Sequence, residues 1–284
     1  MCDLQIHCVV ENGLNTCYID SLFVGLFYKH NDGLSNILEC IPKKPEGYYL
    51  QELIKLKFVE AIKRKYSITF STMNEIRNYS VICGWSNNSD ITEQKKCSDY
   101  YNFIYELFDI PPLELEIIEI KDNILTNNIE KVVTPYIHLD LHKDDNIKNL
   151  LTNWINKTIN NTGKNTINCY KLTNIPQFVI MNVNRFDNKG KRTQFKLDIM
   201  RRIKFFNIND NTQNYLKWKI HSVICHNGNK ENIGHYYTII NTHRNKWILF
   251  DDEIIPSFKE IDFEDSDFKD KIMLEAIMII YTID

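Results

Sequence analysis

The feature that most constrains this chain is a change of hydrophobic period at Pro111-Pro112. Before it, apolar residues recur at helical spacing. Residues 16–29 place Ile19, Leu22, Phe23, Leu26 and Phe27 three or four apart, and residues 51–64 repeat the pattern. Residues 97–108 set Tyr100, Phe103, Ile104 and Leu107 on one face, and the two prolines stop that helix. After the prolines the period is mostly that of strands. Alternating or apolar runs lie at 113–120, 135–141, 177–186, 196–206, 215–226, 235–243, 246–252 and 275–283. A short helix is predicted over 147–159 and a loop over 160–165. A block of helices followed by a block of strands implies α+β segregation, a helical lobe against an antiparallel sheet. The cleft between such lobes is a natural place for a site.

The length of 284 residues is ample for a sizeable core, and a net charge of −3 does not announce a nucleic-acid partner. No run of 18 apolar residues occurs, so no membrane span is expected. The opening MCDLQIHCVVENG lacks a basic-then-apolar signal segment. None of the eight cysteines forms a C-x-x-C pair, which signals neither a zinc ribbon nor a thioredoxin motif. They are read as reduced thiols of a cytoplasmic or nuclear protein, or of host cytoplasm for a viral one. The abundance of Asn and Ile carries no function.

One cysteine differs by position. Cys17 stands where a polar loop meets an apolar-periodic helix, and a helix start favours an anion such as a thiolate. Backbone N–H groups there can form part of an oxyanion hole, and Asn12, five residues ahead, can add a side-chain amide. His235 opens a strand after Gly234, whose missing side chain lets another backbone come close. Asp251-Asp252 ends the next strand, and a hairpin would lay it beside the start of the first. A carboxylate there can hold one imidazole nitrogen and leave the other for the thiol. Which acid of the pair does so is open from sequence. Each residue alone is commonplace; together they supply a nucleophile, a base and an orienting acid.

These residues resemble the ubiquitin-specific protease family of cysteine deubiquitinases. NGLNTCYIDS (12–21) is similar to the family's cysteine box, G-L-x-N-x-G-N-T-C-Y-x-N-S. GHYYTIINTHRNKWILFDD (234–252) is similar to its histidine box, which opens G-H-Y and closes W-x-x-F-D-D. Between them, Ser98 to Phe103 resembles the Q-D-A-x-E-F helix, PQFVIMNVNRF (176–186) a family strand, and WKIHSVICHNG (218–228) another. The order is the family's and spans nearly the whole chain.

The resemblance implies a single papain-like catalytic domain over 1–284: a helical thumb to about 110, fingers over about 111–170, and an antiparallel-sheet palm over about 171–284. It implies hydrolysis after the C-terminal glycine of ubiquitin, with ubiquitin or ubiquitinated proteins as partners. By position Cys17 is the nucleophile, His235 the general base, Asp251 the orienting acid and Asn12 the oxyanion donor. Asp99 matches the residue that holds the basic ubiquitin tail. Tyr236 and Phe186, with Gly234, match the lining of the tail channel.

The chain departs from the pattern in places. Gly13-Leu14 replaces the usual x-Gly ahead of Asn-Thr-Cys, Asp20 replaces the commoner Asn, Asn102 the thumb glutamate, and Ile233 a second glycine. Cys-Tyr-Ile-Asp-Ser-Leu-Phe is closest to the cylindromatosis-type branch. Cys169 stands alone between Phe108 and Pro176, so reduced fingers without zinc, and no cofactor, are expected. Two other readings are a protease for another ubiquitin-like modifier and a non-catalytic ubiquitin-binding module on this fold.

Overall fold

The computed structural model describes residues 8–86, 93–121, 124–161, 164–206, 215–231, 233–242 and 246–283. Helices come first: α1 (Cys17–Phe27), α2 (Asp32–Ser35), α3 (Pro45–Leu53), α4 (Glu60–Lys63), α5 (Phe70–Ile82) and α6 (Cys97–Phe108). Proline at the first position of α3 suits a helix start, where no N–H is needed. A wide π-type stretch, Ile54–Val59, joins α3 to α4, so the periodicity of 51–64 is the second half of a longer rod. α6 ends where Asp109 turns left-handed (φ 55°), just ahead of the two prolines.

Strands dominate the rest. In chain order they are β1 (Leu113–Lys121), β2 (Ile124–Thr134), β3 (Ile137–Asp140), β4 (Asp145–Asn146), then α7 (Ile147–Ile155), β5 (Asn156–Asn161), β6 (Lys164–Leu172), β7 (Phe178–Asn184), β8 (Leu197–Asp198), β9 (Arg202–Phe206), β10 (Tyr215–Lys230), β11 (Ile233–Asn241), β12 (Trp247–Phe250) and β13 (Phe258–Ile261), followed by α8 (Ser266–Glu275) and β14 (Ala276–Ile283). The main sheet has the order β13-β12-β11-β10-β14-β7-β3, with β9 also on β10. Its pairs are antiparallel except β3–β7, which is parallel, so the sheet is mixed at that edge. The segment expected as reduced fingers forms its own four-stranded antiparallel sheet, β2-β1-β6-β5. The helix predicted over 147–159 stops at Ile155, and of the loop predicted at 160–165 the described residues Asn160, Asn161, Lys164 and Asn165 are paired strand in β5 and β6. The run 196–206 is interrupted between β8 and β9.

The main sheet is covered on both faces. Ile180, Tyr236, Ile240, Met278 and Ile280 pack with the helices, while their neighbours Val179, Met181, Tyr237, Ile239 and Ile279 fill a second core on the other side. This is the period-2 alternation of strands that are buried on both faces. Helix α1 lies at the centre: all eleven of its residues are buried, mostly apolar but with Asp20 and Ser21 among them. Phe23 meets Phe58 edge-on at 5.2 Å and Tyr100 at 5.8 Å. Two hydroxyls strap the helix to the sheet. Ser222 Oγ donates to the Gly25 carbonyl at 2.7 Å, and Thr238 Oγ1 to that of Ser21 at 2.7 Å. These bonds fix where the first residue of α1 meets the strand that carries His235. Among the described residues no helix is long and apolar enough to cross a membrane.

Candidate active site

Cys17 is the first residue of α1 and is 3% exposed. The turn before it is unusual, because Leu14 (φ 63°) and Asn15 (φ 58°) are both left-handed. Asn tolerates that conformation; leucine does so at a cost of about 1–2 kcal/mol. The Arg77 guanidinium, reaching in from α5, holds the turn by donating to the Leu14 carbonyl. Gly13 N–H donates to Thr16 Oγ1 at 2.7 Å, and Thr16 Oγ1 donates to Asp20 Oδ2 at 2.9 Å.

His235 sits near the start of β11. The β11–β12 hairpin, in register through Thr238↔Phe250, brings the residues just after β12 beside it. His235 Nε2 lies 2.8 Å from Asp251 Oδ1 and 3.5 Å from Asp252 Oδ1, so Asp251 is the closer acid. Nδ1 lies 3.3 Å from Glu253 Oε1. Burial opposes a charge on the ring, but hydrogen bonds with Asp251 and Cys17, and the charge of Asp252, push its pKa up to about 10. Burial would raise the Asp251 carboxyl. The His235 hydrogen bond and the Glu253 N–H (3.0 Å) overcome it and hold the carboxyl below its ordinary value.

Asn12 lies on the same side. Its Nδ2 donates to Asp252 Oδ2 at 2.7 Å, and its Oδ1 accepts the Thr16 N–H at 3.3 Å, which assigns the amide orientation. His235, Asp251 and Asp252 each offer an atom within 4.8 Å of the others, a spacing that would admit a cation. Their hydrogen bonds already commit them to each other and to Asn12, which is the pattern of an acid–base set.

The expected channel residues lie across one cleft. Asp99 of α6, Tyr236 of β11 and Phe186 line a cavity of about 210 Å³ together with Lys96, Tyr136 and His138. Burial raises the Asp99 carboxyl, against the pull of Lys96. Asp99 also borders a larger, open cavity of about 780 Å³ lined by Asn15, Gln94, Lys95, Ile233 and Gly234. Gly234 is required by packing inside its own hairpin: an added Cβ would meet Asn227 O at 2.4 Å and His226 Nε2 at 2.6 Å. The substituted Asn102 donates to the Tyr136 hydroxyl at 3.2 Å.

Sequence reasoning missed Gln94. Its Oε1 accepts the Gly234 N–H at 2.8 Å, and its Nε2 approaches Cys17 Sγ at 3.9 Å. A lone glutamine in a polar loop carries no signal that would have found it. Glu253, the residue after the Asp251-Asp252 pair, was not singled out either.

Comparison with known proteins follows the same lines. The chain resembles a chain of the SAGA DUB module Ubp8/Sgf11/Sus1/Sgf73 bound to monoubiquitin, with TM-score 0.69, 16% identity, and 99% of this chain and 71% of that one covered. It also resembles the yeast SAGA DUB module carrying a variant Sgf73 (TM-score 0.68, 14% identity, 98% and 68% covered). A third match is the Ubp8/Sgf11/Sus1/Sgf73 module bound to ubiquitin aldehyde (TM-score 0.67, 15% identity, 98% and 69% covered). These likenesses establish the papain-like deubiquitinase fold. No curated protein sequence matches significantly. The ubiquitin carboxyl-terminal hydrolase profile matches residues 8–281, and the chain belongs to that family.

Proposed function

We propose that the protein is a deubiquitinating cysteine protease that cleaves the isopeptide or peptide bond after the C-terminal glycine of ubiquitin. The observation that carries this is the meeting of Cys17 with His235, 218 positions away in sequence, and of His235 with Asp251 at 2.8 Å. Family membership and likeness to ubiquitin-bound relatives support the substrate class.

In this reading Cys17 attacks as the thiolate, beside the His235 imidazolium. The sulfur forms a bond to the glycine carbonyl carbon, and the carbonyl π pair moves to oxygen. The Cys17 N–H and the Asn12 amide receive that oxyanion. Collapse breaks the C–N bond, and His235 gives its proton to the leaving amine. His235 then takes a proton from water as the water attacks the thioester, the C–S bond breaks, and the thiolate returns. Asp251 keeps the ring oriented and charged. Helices α1–α6 serve as thumb, the β2-β1-β6-β5 sheet as fingers and the main sheet as palm. Asp20-Ser21 supports the cylindromatosis-type branch.

A ubiquitin carrying a C-terminal electrophile tests the reading. Cys17 should be labelled, Cys17→Ala should give no adduct or turnover, and Asn12→Ala should slow labelling about 100- to 1000-fold. An unlabelled Cys17 in a protein that still binds ubiquitin would make this a binding module. Reaction only with a different modifier's probe would move the substrate.

A further inference from the structure

We propose that Asp20 is a neutral carboxylic acid that shares its proton with Asp252 and thereby positions the Asn12 amide over the scissile carbonyl. This deepens the protease reading and rests on it for the role of Asn12.

Asp20 lies in the first turn of α1 and is wholly buried. Its Oδ2 receives the Thr16 hydroxyl, and its Oδ1 has no donor. The Asp252 side chain is also fully enclosed. Its Oδ2 receives Asn12 Nδ2, and its Oδ1 lacks a hydrogen bond, His235 Nε2 being engaged with Asp251. Thr16 binds Asp20 through its hydroxyl and Asn12 through its N–H, and Asn12 binds Asp252, so the two enclosed carboxyls stand close enough to interact, each with one buried oxygen that lacks a donor; a proton placed between them would satisfy both. Two adjacent carboxylates away from water cannot both carry charge.

The surroundings decide which acid holds the proton. Burial raises the Asp252 carboxyl too, but the His235 charge, Asp20 and the Asn12 donor all favour its ionised form. Asp20 faces Cys17 and Tyr18 on its own helix, Tyr100 of α6, Arg77 of α5 and Asp252 itself. Arg77 is the one cation in that set, and both its terminal nitrogens are engaged, by the Leu14 carbonyl and by Asn74. Burial first, and then the Asp252 charge, hold the Asp20 carboxyl well above its ordinary value. Asp20 therefore donates to Asp252, Asp252 anchors one Asn12 N–H, and the second N–H of that amide is left for the oxyanion.

The proton has a consequence for stability. A carboxyl with a raised folded pKa is protonated in the folded chain while the unfolded chain has released its proton. Stability then falls as pH rises above about 4, until the folded carboxyl itself ionises. Asparagine at position 20 keeps the shape, accepts from Thr16 and donates to Asp252, but has nothing to titrate.

The experiment compares wild type with Asp20→Asn and Asp20→Ala. Infrared difference spectra at neutral pH should show the carbonyl stretch of an un-ionised carboxylic acid in wild type and lose it in Asp20→Asn. The thermal midpoint of Asp20→Asn should exceed that of wild type at neutral and alkaline pH and vary less with pH. Labelling by the ubiquitin probe should stay within a few-fold of wild type in Asp20→Asn, and persist at alkaline pH where wild type declines. In Asp20→Ala it should drop tenfold or more. Absence of the acid carbonyl signal overturns the proposal, as does a folded Asp20→Asn as slow as Asp20→Ala. If wild type is never labelled, the protease reading fails alone, because the infrared and thermal measurements still decide the shared proton.

Discussion

On the proposed protease reading, Gln94 stands where a substrate backbone would bind. Its amide oxygen takes the Gly234 N–H and its nitrogen faces the Cys17 sulfur, so an incoming peptide carbonyl would compete with it for the same donor. One such hydrogen bond contributes about 1 kcal/mol, or about fivefold in an equilibrium. Gln94→Ala should therefore speed labelling of Cys17 by a ubiquitin probe roughly three- to tenfold, read from the second-order rate constant. Slower labelling would show that the amide assists the thiolate. The positions of Cys17, His235 and Asp251 were legible in the sequence because each stands in a short contiguous box. The contacts that tune them were not. Gln94 comes from a loop outside both boxes; Thr16 and Asp20 lie in the cysteine box and Asp252 in the histidine box, and only folding reveals that Asp20 and Asp252 come together.

At the scale of the element, the start of α1 is the most constrained piece of chain. Leu14 occupies the position at which the family motif has glycine, and its positive φ gives the reason a glycine suits it. The side chain is 56% exposed, so its removal sacrifices little burial. Leu14→Gly relieves about 1–2 kcal/mol of strain and concedes part of that to the freer unfolded chain. The expected gain is about 0.5–1 kcal/mol in a denaturant unfolding experiment, and a loss would show that the leucine side chain is the stronger influence. The strongly periodic elements, α1 and α6, were readable in advance. Helix α5 was not, because two of its four buried positions are Arg77 and Ser80, which break the apolar stripe. Strand β2 escaped because ILTNNIEKVVT does not alternate, and β5 because the Asn-rich stretch after Ile155 continues a helical pattern.

The whole molecule works as two cores that share one sheet, with the cleft where helices and sheet part. The cavity proposed for recognition belongs to neither side: Asp99 comes from α6, Tyr236 from β11 and Phe186 from the segment just after β7. A basic tail in that cavity would pair with Asp99 through a charge-assisted hydrogen bond of about 1.5–3 kcal/mol. Asp99→Asn should thus raise KM about tenfold or more and leave kcat nearly unchanged, measured on a fluorogenic ubiquitin substrate. A fall in kcat instead would place Asp99 in the chemistry.

The β2-β1-β6-β5 sheet has a further consequence for how copies of this chain behave in solution. Among the described residues its outermost strands, β2 and β5, have a partner on one flank only. Each therefore offers a row of vacant peptide donors and acceptors, a template on which a foreign strand can grow. Ile129 and Val133 of β2 stand out in water, with Glu130 and Lys131 between them. The charged pair acts as gatekeeper, opposing the self-templated stacking that those two apolar side chains would otherwise invite.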